Sequence, residues 1–111
     1  VIRGDRDSQL KQMFSSDGGR TWSKPVRLEV GKVLPDLCLM SNGVLACSYG
    51  RPASCLMFSV DGGRTWPSHY VVSDKVGFNY TSIREIAPGK LLYVHDAPKM
   101  NALLIDVRRV D

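Results

Sequence analysis

The sequence has no long apolar run. None of its hydrophobic stretches exceeds four residues, which excludes a transmembrane helix and a signal peptide within these 111 residues. It has only two histidines and no Cys-x-x-C, so nothing in it reads as a zinc site, and no cofactor is implied. It has no Lys/Arg-rich block. A net charge of +4 arises from nine scattered Arg and six Lys against 11 acidic residues, which leaves no nucleic-acid footprint and no membrane-binding stretch. It has no segment of helical period, no low-complexity tract and no linker. It also lacks an initial Met, which fits a truncated chain. The sequence assigns no location; a signal upstream of Val1 would imply a secreted or periplasmic one.

What is present is a repeat. Residues 13–22 read MFSSDGGRTW and residues 57–66 read MFSVDGGRTW, identical at nine of ten positions. Asp17 and Asp61 lie 44 residues apart, and self-similarity at such a period marks a propeller or solenoid array. Each copy reads as a tight hairpin. The glycine pairs ending in Gly19 and Gly63 supply positive φ, and Asp17 and Asp61 can accept backbone N–H groups of their own turns. Ser15 and Ser59 are placed to steady those carboxylates, and Trp22 and Trp66 to wedge one unit against its neighbour. The motif is thus read as structural.

The rest of the chain reads as strands. They are expected over 9–15 and 24–30 around the first motif, then 36–40, 44–49, 54–59 and 69–73, and finally 80–86, 90–95 and 102–110. This gives the end of one unit (1–32), a complete four-stranded unit (33–75) and most of a last one (76–111). The fold class is all-β, built of propeller blades as four-stranded antiparallel meanders. Cys38 and Cys47 flank the Asn42-Gly43 turn. A two-residue turn would set them opposite each other and permit a disulfide; otherwise they are reduced, buried thiols.

Strand direction alternates within such units, so the loops divide between two ends. One end holds both repeated motifs with the turns at Ser41–Gly43 and Pro88–Gly89. The other collects Arg3, Asp5, Arg6 and Asp7, then Asp36 and Arg51, then Asn79 with Tyr80, then His95, Asp96 and Lys99. Arginine and tyrosine converging there suit an anionic ligand, because guanidinium grips a carboxylate bidentately.

The Ser-x-Asp-x-Gly-x-Thr-Trp motif resembles the Asp-box, or BNR repeat, found in sialidases and several other propeller proteins. The order of the remaining residues resembles the later half of the sialidase domain. Arg3, in Val-Ile-Arg-Gly-Asp, resembles the family's second substrate arginine, and Arg51, in Tyr-Gly-Arg-Pro, the third. Tyr80, in Asn-Tyr-Thr-Ser-Ile, resembles the catalytic nucleophile. Asp96, after Tyr-Val-His, resembles the acid that orients the first arginine.

The resemblance implies part of a six-bladed propeller that removes terminal sialic acid, or a related acidic sugar, from glycans. Its first arginine, acid/base aspartate and nucleophile-activating glutamate would lie upstream of residue 1. Neither Glu29 nor Glu85 matches that glutamate, so the fragment alone is expected to be inactive. Two other readings stand beside this one. One is a non-catalytic Asp-box module that binds glycans or protein partners. The other is a homo-oligomer whose copies complete a propeller through their exposed strand edges. Asn79-Tyr80-Thr81 is formally a glycosylation sequon, but a glycan beside a catalytic tyrosine would defeat its purpose.

Overall fold

The computed structural model describes residues 1–4 and 9–110; Asp5, Arg6 and Asp7 of the expected loop cluster lie outside the described residues. Among the described residues there are nine strands and no helix. The strands are β1 (Lys11–Gln12), β2 (Val26–Arg27), β3 (Val33–Leu39), β4 (Leu45–Gly50), β5 (Ser54–Ser59), β6 (Ser68–Ser73), β7 (Thr81–Ala87), β8 (Lys90–His95) and β9 (Asn101–Asp106). They form three antiparallel sheets in chain order, β1-β2, β3-β4-β5-β6 and β7-β8-β9. Each strand pairs with its sequence neighbour, so each sheet is a meander, and no sheet closes on itself.

The expected strands around the first motif shrink to the two-residue β1 and β2. Their ladder nevertheless runs on irregularly, through Leu28 N to Leu10 O (2.8 Å) and Leu10 N to Val30 O (3.1 Å). Ile2 bridges Lys11 on the other side of β1. The last strand stops at Asp106, where Val107 N turns to the Gly89 carbonyl at 2.9 Å.

The β3–β4 turn differs from the two-residue form. Met40 and Val44 close it, Gly43 N donates to Met40 O at 2.9 Å, and Gly43 takes φ 85°, so three residues make the loop. That extra residue shifts the register. Cys38 stands opposite Ala46, and Cys47 opposite Leu37. Side chains alternate across a sheet, so the two thiols face opposite sides and cannot be bridged. All three cysteines are free.

The same alternation divides the core in two. Ala46 and Leu56 of the second sheet face Ile83, Leu91 and Tyr93 of the third. Cys47, Tyr49, Cys55 and Met57 face the other way, against Leu10, Leu28 and Val30 of the first unit. The middle sheet is therefore buried on both faces, which is why β4 and β5 read as continuous apolar runs rather than alternating ones. Each fully buried Leu or Met here contributes about 2 kcal/mol. Polar ties accompany the packing. Tyr93 Oη donates to Cys55 O at 2.9 Å, and Lys32 N to Gly50 O at 2.9 Å. Burial raises the Tyr93 phenol above its ordinary range, so it stays a neutral donor.

Candidate functional site

Register fixes which loops share an end. In the second sheet Leu45 pairs with Ser59 near the second motif, and Tyr49 with Cys55 near the loop that carries Arg51. In the third sheet Thr81 pairs with His95, and Ala87 with Lys90. Arg51, Tyr80 and Asp96 therefore leave the sheets at one end, and both repeated motifs lie at the other.

The two motifs have nearly superimposable hydrogen bonding. In the first, Ser15 Oγ donates to Asp17 Oδ1 at 2.8 Å and accepts from Gly19 N at 2.8 Å. Asp17 accepts from Thr21 N (2.9 Å) and Thr21 Oγ1 (2.5 Å). In the second, Ser59, Asp61, Gly63 and Thr65 repeat these bonds at 2.7, 2.9, 2.9 and 2.6 Å. The glycines match as well: Gly18 and Gly62 have φ 73° and 74°, and Gly19 and Gly63 both 89°. These donors, the threonine hydroxyl foremost, hold both carboxyls down at about 2. Every carboxylate oxygen is thus engaged within its own turn, a structural arrangement. The tryptophans diverge. Trp66 packs on the first unit, whereas Trp22 is 57 % exposed.

At the opposite end, three of the singled-out residues meet. The Arg51 guanidinium carbon stands 5.8 Å from the centroid of the Tyr80 ring. Arg51 Nε donates to the Phe78 carbonyl at 3.2 Å. The Phe78 and Tyr80 rings stack at 5.8 Å with an interplanar angle of 21°. Asp96 Oδ1 accepts from Tyr80 N at 3.0 Å. Tyr80 remains 39 % exposed, so its ring is presented to solvent while its backbone is held. The arrangement sets a guanidinium over the face of a partly exposed aromatic ring.

The residues on either side of Tyr80 are buried. Thr81 Oγ1 lies 2.8 Å from Ser48 Oγ and 3.3 Å from the Leu34 carbonyl. Asn79 Oδ1 accepts from Ser54 Oγ at 3.1 Å. A buried Asn79 amide cannot serve as a glycan acceptor.

The remaining candidates fall differently. Antiparallel pairing of Ile2 with Lys11 carries Arg3 toward the Arg51 end, but among the described residues no hydrogen bond or ion pair joins Arg3 to Arg51, Tyr80 or Asp96. Asp36 is engaged between sheets: its Oδ2 accepts from Ile83 N at 2.9 Å and Ser82 Oγ at 3.1 Å. His95 is buried against Tyr93, and its Nδ1 accepts from Ala97 N at 3.4 Å. Its Nε2 is buried without a partner among the described residues. Lys99 is exposed. Glu85 belongs to the motif end, where it accepts from Ser41 N (2.8 Å), Ser41 Oγ (3.0 Å) and Gly89 N (3.0 Å). Those bonds, Gly89 N foremost, hold its carboxyl below the usual range.

Sequence reasoning placed Asn79 at this end of the sheets without a part in fixing the site, and it missed Gly50 and Phe78. Gly50 is the last residue of β4, one beyond the strand expected over 44–49, and a glycine in a strand often marks close backbone approach. A Cβ there would meet Asn79 O at 1.7 Å. A groove of about 580 Å³, lined by Val44, Leu56, Phe58, Tyr70, Ile105 and Val110 among others, lies between the second sheet and the chain after β9, away from this cluster. Among the described residues no group of three His, Cys, Asp or Glu is arranged to hold a metal. Compared with protein-family models, curated proteins and solved structures, the chain gives no match.

Proposed function

We propose that this chain is the C-terminal part of a sialidase-like glycoside hydrolase, acting on terminal sialic acid or a related acidic sugar. The observation that carries the reading is the meeting of Arg51, Tyr80 and Asp96 at the end of the sheets opposite both Asp-boxes. Three meandering sheets in series, the middle one four-stranded, support blades of a partial propeller.

In this reading Arg51 holds the substrate carboxylate, with Arg3 as a second arm of the clamp. Tyr80 acts as nucleophile. A neutral phenol can approach an anomeric carbon that bears a carboxylate without like-charge repulsion; a glutamate takes its proton as the phenol oxygen bonds to that carbon, the glycosidic bond breaks and the acid/base aspartate protonates the departing oxygen. That glutamate, the acid/base aspartate and the first arginine would come from upstream sequence. Asp96, bonded to Tyr80 N, steadies the tyrosine here and has a second oxygen to offer the missing arginine.

The test uses the 111-residue chain. Titration with N-acetylneuraminic acid should shift the NMR signals of Arg51, Tyr80 and Asp96, and Arg51→Ala should abolish those shifts. Shifts confined to other residues, or none at millimolar sugar, would sink the reading. The chain alone should not hydrolyse a fluorogenic sialoside. Joined to its upstream half it should, and binding without hydrolysis in that longer protein would favour the non-catalytic glycan-binding module instead.

A further inference from the structure

Asn79 points inward where its neighbours point out. It is 5 % exposed, against 67 % for Phe78 and 39 % for Tyr80. Its backbone sits at φ 61°, a left-handed conformation that asparagine tolerates better than most residues. Its amide is held on both sides, Oδ1 accepting from Ser54 Oγ at 3.1 Å and Nδ2 donating to Gly77 O at 3.3 Å. Its own carbonyl lies against Gly50, so close that a Cβ on that glycine would stand 1.7 Å from the oxygen. Gly50 is followed directly by Arg51, which has φ 58° and whose Nε reaches back to Phe78 O at 3.2 Å. Asn79 therefore joins the segment that carries Tyr80 to the strand end that carries Arg51.

We propose that Asn79 is a positioning residue of this site. Its buried amide, fixed between Ser54 and Gly77, sets the distance of the Arg51 guanidinium from the Tyr80 ring. The claim rests on the sialidase-like reading only for what the pair binds; the spacing itself rests on the geometry. An asparagine that merely satisfied core polar groups would lower stability when removed and leave Arg51 where it is relative to Tyr80.

The test compares wild type with Asn79→Gly and Ser54→Ala by NMR of the full chain. Asn79→Gly deletes the amide and keeps the left-handed backbone at no steric cost, so it is expected to fold; Ser54→Ala removes a single hydroxyl. The readouts are the Arg51 Nε–H signal, the Tyr80 ring signals and the amides of β4, β5 and β8. In both variants the strand amides should persist, while the Arg51 Nε–H moves and exchanges faster and the Tyr80 ring signals shift. Asn79→Asp keeps the acceptor for Ser54 but sets a carboxylate oxygen against the Gly77 carbonyl, so its Arg51 signals should move as well. Folded variants with unchanged Arg51 and Tyr80 signals would overturn the proposal.

A second arm separates it from the functional reading. Affinity for N-acetylneuraminic acid should fall about tenfold in Asn79→Gly, because preorganisation is lost. Wild-type binding with equal affinity in the variant overturns the positioning role and leaves the reading intact. No wild-type binding, with the Arg51 signal still displaced in the variants, overturns the reading and supports the positioning role.

Discussion

Trp66 Nε1 donates to Gln12 Oε1 at 3.1 Å, which ties the second unit to the first. Trp22, its counterpart in the repeat, turns its Nε1 to its own turn, donating to Gly19 O at 3.0 Å. Decapeptides identical at nine of ten positions thus place their tryptophans in different environments, because among the described residues only the second has a packed unit beside it. Trp66→Ala should cost about 2–3 kcal/mol by urea denaturation, below the full cost of a buried aromatic because the ring is partly exposed. Trp22→Ala should cost no more than about 0.5 kcal/mol. Equal losses would contradict the difference in packing.

Acid should act on the two motifs together. Asp17 and Asp61 are held at about 2, against an ordinary 3.8. A depressed folded pKa means that the stabilisation is fully present above the unfolded value and is lost as pH falls through the folded one. The urea midpoint should therefore decline between about pH 4 and pH 2. Asp17→Asn with Asp61→Asn should flatten that decline and lower the midpoint at pH 6. A double variant that keeps the wild-type slope would show that other carboxyls govern it.

The thiols should react in sequence. Cys38 is half-buried, whereas Cys47 and Cys55 are buried. Burial pushes the Cys47 thiol up to about 12 and raises Cys55 as well. A colourless disulfide reagent that releases a chromophore should modify Cys38 first at pH 8, with the other two following only on unfolding. Mass spectrometry under mild oxidation should find no Cys38–Cys47 bridge, since the register sets those side chains on opposite faces.

Gly50→Ala should be among the most damaging single-methyl changes in the chain. The added carbon would meet the backbone carbonyl of Asn79 and Val33 Cγ2, at 1.7 and 2.9 Å. A backbone atom cannot swing aside as a side chain does, so the loss should be on the order of 3 kcal/mol. Displacement should show first in the amides of Gly77 to Tyr80. A thermal midpoint within a degree of wild type would refute the close approach.

Much of the all-β fold was legible in residue order. The repeated decapeptide, the Asn-Gly and Pro-Gly turns and the apolar runs between them carry strand and turn preferences that are local. They located β5 and β8 to the residue. The hydrogen bonding inside each repeated motif was likewise encoded within eight residues. Turn length was not legible, and one residue in the β3–β4 loop decided which face each cysteine takes.

Only the packing of sheets on one another decided the rest. Glu85 and Asp36 are polar residues of similar appearance in sequence. The tertiary structure turned one into a clamp on the Ser41 turn and the other into an acceptor for Ile83 N. Arg51 and Tyr80, 29 residues apart in the chain, meet because Gly50 lets the Asn79 carbonyl approach its backbone. Such a contact depends on the absence of a side chain at one position and a buried amide at another. Neither has a periodic signature, and both act only once the second and third sheets are pressed together.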